Sequence, residues 1–331
     1  MNRQRMILAM ACGLALAGAA GCYSGAAATG NFDRTLSVSG PVRIELSNAA
    51  GDVQIVGSAD GKVHVHAEVR ASGFGLGRPR QRIDEILAHP PVEQRGSTIR
   101  IGRDFNNTRH VSISYQIEVP HETEISSTLA SGSQSVRQIQ GPVKTNAASG
   151  SLRVEHIDRE VRLRSVSGSV DAFDVGDDVY ASSISGSVDV RNSKGDAHAN
   201  ATSGAIRVTR PGGRVDADTA SGSVEIFGAN NDVKARAVSG RVSVQGVPGG
   251  NSYWELKTIS GSVELAVPST ANFHLTAENV SGQIRTDIPI VIEEQNKHSL
   301  RARVGNGGSR VEIHTVSGQI DIGPASASAQ R

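Results

Sequence analysis

From Ser131 onward, Ser-Gly pairs recur at a fixed interval. They end at Gly132, Gly150, Gly168, Gly186, Gly204, Gly222 and Gly240 with a constant step of 18 residues, continue at Gly261 and Gly282 with steps of 21, and close at Gly318 after 36, which is two periods. A period near 20 is the signature of a solenoid, in which each repeat contacts only its neighbours. Inside each period the side chains alternate. Val188, Asp189 and Val190 follow Gly186, and Val224, Glu225 and Ile226 hold the same places after Gly222. Alternation with period two marks half-buried strands. A second short strand precedes each pair, as in Val161-Leu163-Ser165 or Trp254-Leu256-Thr258, with turn glycines such as Gly141, Gly195, Gly213 and Gly249 between. Connections this short cannot hold crossover helices, so equivalent strands must stack in parallel, about 4.8 Å apart. The expected fold class is all-β: a parallel β-solenoid of 18-residue two-strand rungs. Ten rungs, one for each Ser-Gly pair, make a body roughly 50 Å long. Val188, Val190, Val224 and Ile226 are expected inside, and Asp189 and Glu225 outside.

The repeat accounts for an unusual composition. Aromatic residues are only 3% of the chain and glycine reaches 37 residues. With so little aromatic volume, the core must be filled by Val, Ile, Leu and Ala in regular layers. The glycine of each pair fits a corner that needs positive φ or close backbone approach. Its serine is expected to stack into a hydroxyl ladder satisfying corner backbone groups. A hydroxyl at every rung with no base assigned to any one reads as architecture, not as a set of nucleophiles.

Parallel stacking lets the outward columns be read from the sequence. Three residues after each glycine stand Arg153, Asp171, Asp189, Arg207 and Glu225, continuing to Glu264 and Arg285. Pairing between rungs is expected for Arg153 with Asp171 and for Asp189 with Arg207, and Asp171 beside Asp189 is a like-charge step. The other sheet exposes one column through Lys144, Arg162, Tyr180, His198 and Asp216 and a second through Arg164, Ser182, Asn200, Asp218 and Arg236. Lys144, Arg162 and Arg164 form a small basic patch that reads as a solvated face.

Several functions are disfavoured. A net charge of +1 gives no electrostatic case for nucleic acid or for an anionic membrane surface. Few aromatics leave few stacking platforms for sugars or bases. There is no flat threonine array for ice, no Gly-Gly-x-Gly-x-Asp calcium roll, and no clustered carboxylates of a polysaccharide cleft. No Ser-His-Asp or Cys-His set stands out. Catalytic residues, cofactors, metal ligands and a small-molecule substrate are therefore not expected.

Residues 32–125 lie outside the register and read as an N-terminal β-rich cap with one short helix. Phe32 to Val56, Lys62 to Arg70, Ser97 to Ile101 and Val111 to Val119 read as strands. Ile83, Ile86 and Leu87 have helical spacing over Arg80 to Ala88, before Pro90-Pro91. The glycine-rich run Gly73 to Pro79 lacks the strand-loop-helix setting of a phosphate cradle. A cap covering the first rung is what solenoids require. The repeats run over 126–322, interrupted near 287–308, and 323–331 reads as a flexible tail. His64 and His66 share one strand face at two-ligand spacing, but no third ligand can be assigned.

Arg3 and Arg5 precede an apolar run from Met6 to Ala20 that ends in small residues, the order of a secretory signal peptide over residues 1–21. The chain has two cysteines, Cys12 within that run and Cys22 just after it. Leu16-Ala17-Gly18-Ala19-Ala20-Gly21-Cys22 resembles a bacterial lipobox, with Ala19 where leucine is usual. The alternative is ordinary cleavage nearby, for example after Ala28. Lipid attachment at Cys22 would give a tether over 22–31 and a firm hold on the membrane, since acylated cysteines of this type carry more chains than stable anchoring needs. Tyr23, in place of the aspartate that retains such proteins on the inner membrane, points to an outer-membrane lipoprotein facing periplasm or surface.

Val111-Ser-Ile-Ser-Tyr-Gln-Ile-Glu-Val-Pro120, then Ala130-Ser-Gly132, the Ser-Gly-Ser-Val-Asp units, and Gly305-Asn-Gly-Gly-Ser through Val316-Ser-Gly-Gln-Ile-Asp-Ile322 together resemble the bacterial β-strand-repeat "toast-rack" family of candidate adhesins, long a domain of unknown function. The likeness runs over residues 32–322. It implies an envelope-exported β-solenoid, in some members joined to membrane proteins that respond to envelope stress, and it brings no catalytic residues. The leading expectation is a non-enzymatic envelope scaffold or adhesin-like interaction protein, with an envelope protein as possible partner. The alternatives are an accessory of an envelope-stress sensing system and a polysaccharide-active solenoid enzyme.

Overall fold

The structure, a computed structural model, describes residues 28–72, 79–102 and 111–325. The signal segment, Cys22 and most of the Gly73–Pro79 run lie outside these residues. Two sheets of 14 and 15 strands face each other across a core of Val, Ile, Leu and Ala. In the repeat region, one strand of each rung belongs to each sheet and pairs in parallel with its counterpart one period away. Val143–Ser149 pairs Val161–Ser167 in one sheet, and Leu152–Ile157 pairs Val170–Val175 in the other. Val188, Val190, Val224 and Ile226 are buried as expected. Asp189 and Glu225 face outward but are half-covered, because side chains of the adjoining rungs lie one strand spacing away.

The glycine corner is a close backbone contact. A Cβ added to Gly150, Gly168, Gly222 or Gly240 would collide with the carbonyl oxygen of the glycine one rung below. These four have φ of 125°, 153°, 141° and 150°, where side chains are strained. The hydroxyl ladder differs from expectation. Ser149, Ser167, Ser203 and Ser221 are exposed. The hydroxyls that cap corner carbonyls belong instead to residues three before the glycine: Ser183 donates to Gly168 O at 2.9 Å, Thr219 to Gly204 O at 3.2 Å and Thr258 to Gly240 O at 3.2 Å. That position points inward along the strand, so its oxygen lies beside the backbone, whereas the serine of the pair has already turned outward.

The order of rungs departs from the order of the chain at both ends. Val42–Asn48 pairs in parallel with Thr123–Ser131, and Val53–Ser58 with Gln134–Ile139. The stack therefore continues into the region expected as cap. Thr98–Gly102 and Val111–Pro120 form one more rung beyond these. At the far end, Ser309–Ser317 inserts between Tyr253–Ser260 and Phe273–Ser281. Gly318 consequently stacks on Gly261, and Gly282 on Gly318. Consecutive Ser-Gly corners are neighbours up to Gly261 and not beyond it. Setting aside the antiparallel outer strands leaves twelve parallel rungs in each sheet, a span of about 53 Å.

Antiparallel strands close the ends. Ala28–Ser37 pairs Lys62–Ala71 along its length, so strand structure already begins within the segment expected as tether. The helix Pro79–Ala88 buries Ile83 and Ile86, and Ile83 and Leu87 sit against Gly30 where a larger residue would clash. At the other end, Val291–Gln295 and Ser299–Val304 form a hairpin against Phe273–Ser281. Gly323 and Pro324, expected in the tail, complete Ile320–Pro324, the last strand in chain order.

Candidate docking face

Each repeat strand of the larger sheet turns two successive side chains outward just before its corner, and a trough runs beside them along the solenoid. Its floor is the inward position three before each glycine, occupied by small residues such as Ser165, Ser183, Ala201, Thr219 and Thr258. One wall is the outward residue four before the glycine. Register places Asn200, Asp218, Arg236, Lys257, His314 and Glu278 in that order along it. The opposite wall is the residue two before the glycine, a large apolar side chain at most rungs and Thr202 and Ala220 at two of them. Val166, Ile184, Val238, Ile259, Val316 and Val280 are 47%, 51%, 48%, 54%, 47% and 68% exposed. The trough encloses about 1040 Å³, and Asn296, His298 and Ser299 of the hairpin turn close one end.

The polar wall is held by its neighbours. Glu255 receives both Arg236 and Lys257 at 2.5 Å. Burial opposes its charge, but the two cations hold its carboxyl below the usual range. His314 lies 3.3 Å from Glu278. Burial and the adjacent Asp216 push the Asp218 carboxyl up. The neighbouring column carries a stack in which Arg162 sits 4.0 Å over the Tyr180 ring and Tyr180 lies parallel to His198 at 4.7 Å. Arg162 also pairs with Glu160 at 2.5 Å, so the expected basic patch is partly neutralised.

On the smaller sheet the expected column of Arg153, Asp171, Asp189, Arg207 and Glu225 is in register. Its ion pairs form differently. Arg153 turns along its own strand to Glu155 and Asp189 to Arg191, while Arg207 crosses the rungs to Glu225. The first two find a partner two residues along on the same face, and both arginines also pack over the Phe173 ring, at 4.7 and 5.2 Å. At Glu264 the column meets Asp321 and only then Arg285, as the inserted rung requires.

A second corner escaped the sequence reading. Gln138, His156, Asp174, Asn192 and Arg210 all have φ between 51° and 59°, one per 18-residue rung. Asn192 donates to Asp174 at 2.6 Å and accepts from Arg210 at 2.8 Å, forming a polar ladder. The only sequence signal was residue type, since Asn, Asp and His tolerate this conformation better than most. His64 lies 2.9 Å from Asp60 and His66 2.7 Å from Asp33. Among the described residues no three metal-ligating side chains converge, and no helix is long and apolar enough to cross a membrane.

Comparison with curated proteins gives no match. Two solved structures are similar to the chain. One is a candidate cell adhesion protein from Clostridium sporogenes, 11% identical over 90% of this chain and 100% of its own, with a TM-score of 0.21. The other is a candidate adhesin from Bacteroides fragilis, 13% identical over 87% of this chain and 97% of its own, with a TM-score of 0.29. The Toastrack DUF4097 family model matches residues 110–236 and 213–323, well over half of the chain. With its stacked two-strand rungs and glycine corners, this chain belongs to the Toastrack DUF4097 family.

Proposed function

We propose that this protein is a non-enzymatic, adhesin-like interaction protein of the bacterial envelope, held to the outer membrane by lipid on Cys22 and acting through the outer face of its larger sheet. The observation that carries this reading is the line of exposed Val and Ile side chains from Val166 to Val280, interrupted only at Thr202 and Ala220. An exposed apolar stripe rimmed by polar residues is the mark of a docking surface. The charged groups beside it support binding over turnover, because Arg236, Lys257 and Glu255 are tied to one another.

The test is cross-linking in intact cells. A defined set of captured envelope proteins is expected, lost when Ile259 and Val280 are replaced by aspartate. Turnover of a cell-wall or capsule polymer by the purified protein, with no captured partner, would reverse the assignment.

A further inference from the structure

We infer that the docking face pairs with the same face of a second copy, antiparallel, about a two-fold axis passing between the rung of Asp218 and the rung of Arg236. This rests on reading the face as a docking surface and names its partner. Three observations lead to it.

The first is spacing. The ridge position two before each glycine repeats every strand spacing, about 4.8 Å, whereas a helix turns every 5.4 Å and a single strand repeats every two residues, near 6.7 Å. Over the seven steps from Val166 to Val280, about 34 Å, either partner drifts out of step. Another solenoid does not.

The second is charge. With the axis in that place, Asp218 faces Arg236 of the partner subunit, and Arg164 faces the partner's Glu278. In the adjoining column Asp216 faces the partner's Lys234, His198 the partner's Glu255, and Tyr180 the partner's Glu312. All follow from the observed register, and within the eight facing rungs no like charges meet; one rung beyond them Lys144 faces the partner's Arg301. A shift of one rung in either direction lays Asp216 and Asp218, or Lys234 and Arg236, on their own copies. One alignment therefore stands out, and because the contact is isologous each opposite-charge pair occurs twice. Asp218, whose carboxyl is pushed up by burial and Asp216, would gain a facing guanidinium.

The third is shape and size. The same alignment sets Thr202 against the partner's Ile259 and Ala220 against the partner's Val238, small against large. It leaves the hairpin turn at Asn296–Ser299 opposite the partner's Ala148, where the ridge is small. Eight rungs by a strand of six to seven residues cover about 700 Å² per copy, close to the roughly 800 Å² of a standard interface.

The experiment uses the full chain in cells. Val166→Cys and Val280→Cys, placed together in one chain, lie seven strand spacings apart, too far for a short thiol cross-linker to join within a copy. They face each other between copies. A covalent dimer is expected from the double variant and from co-expressed single variants, but not from Val166→Cys alone. Adding Asp218→Arg should lower the yield about tenfold or more, since like charges then meet twice, and adding Arg236→Asp to that variant should restore it. Restoration also shows that the variants fold. No dimer from the double variant, an equal yield from Val166→Cys alone, or indifference to Asp218→Arg would each overturn the pairing. Capture of other proteins through Ile259 and Val280 would then still uphold the docking reading by itself.

Discussion

At a glycine corner, three adjacent side-chain positions do three different jobs. Gly222 combines φ of 141° with direct contact on the Gly204 carbonyl. Gly222→Ala should lower stability by about 2–4 kcal/mol, backbone strain and forced separation adding together. Thr219→Val removes the hydroxyl that caps that carbonyl and should cost about 1 kcal/mol. Ser221→Ala, at an exposed site, should stay within about 0.5 kcal/mol. Denaturation midpoints of the three variants measure the order. The sequence made the glycine legible because its need recurs at every rung. It misassigned the hydroxyl because Ser-Gly is the visible pair, whereas the working residue varies between Ser, Thr, Ala and Asn. Asp171 provides a pH test. Burial and the facing Asp189 raise its carboxyl above the ordinary 3.8, only partly offset by Arg153 and Arg191. The folded state therefore prefers the protonated form, so this group's contribution is present below that ordinary value and is lost as pH rises through the folded one. Asp171→Asn should gain a few tenths of a kcal/mol at neutral pH, and the gain should vanish below pH 3.8.

At the scale of the rung, equivalence can be tested by removal. Deleting Ser187–Gly204 takes out one whole 18-residue period and joins Gly186 to Ala205, with both sheets kept in register. The shortened chain should fold cooperatively, with a body about 4.8 Å shorter by small-angle scattering. Deleting only Ser187–Gly195 would send the next strand into the wrong sheet, and circular dichroism should show loss of the fold. Legibility ended where the rung order departed from the chain order. Val42–Ser58 alternates visibly, but its corner is Asn48-Ala49-Ala50-Gly51 without a Ser-Gly pair. There Asn48 donates 2.9 Å bonds to the Gly51 and Ile113 carbonyls, across rungs far apart in sequence. Gly318 follows Gly282 by two full periods, so the sequence spacing suits linear stacking, and only the long excursion through the terminal hairpin lets the last rung insert beneath its predecessor. The trough was half legible. Its charged wall reads as a column, whereas the residues two and one before each glycine both face outward and so break the in-out alternation that marks a strand face.

At the scale of the molecule, the antiparallel pairing has a geometrical consequence. The axis lies toward the C-terminal end of the stack, so the first two rungs of each copy, at Thr98–Gly102 and Val42–Asn48, overhang the partner's terminal hairpin at opposite ends. With lipid on Cys22, five residues separate the anchor from Ala28, a reach of at most about 20 Å. The two anchors of one dimer then sit at opposite ends of a body longer than a single stack of about 53 Å. Such a dimer either lies along one membrane or joins two. The adhesin-like reading favours joining. Vesicles carrying the lipidated full chain in two fluorescent populations should aggregate with one another. Aggregation should fall when one population carries Asp218→Arg, and should fall further when both do. It should return when both carry Asp218→Arg with Arg236→Asp. Cys22→Ser should abolish it by releasing the protein to the soluble fraction. If dimers form yet mixed vesicles stay apart, the pairing acts within one membrane and the joining of two surfaces is refuted.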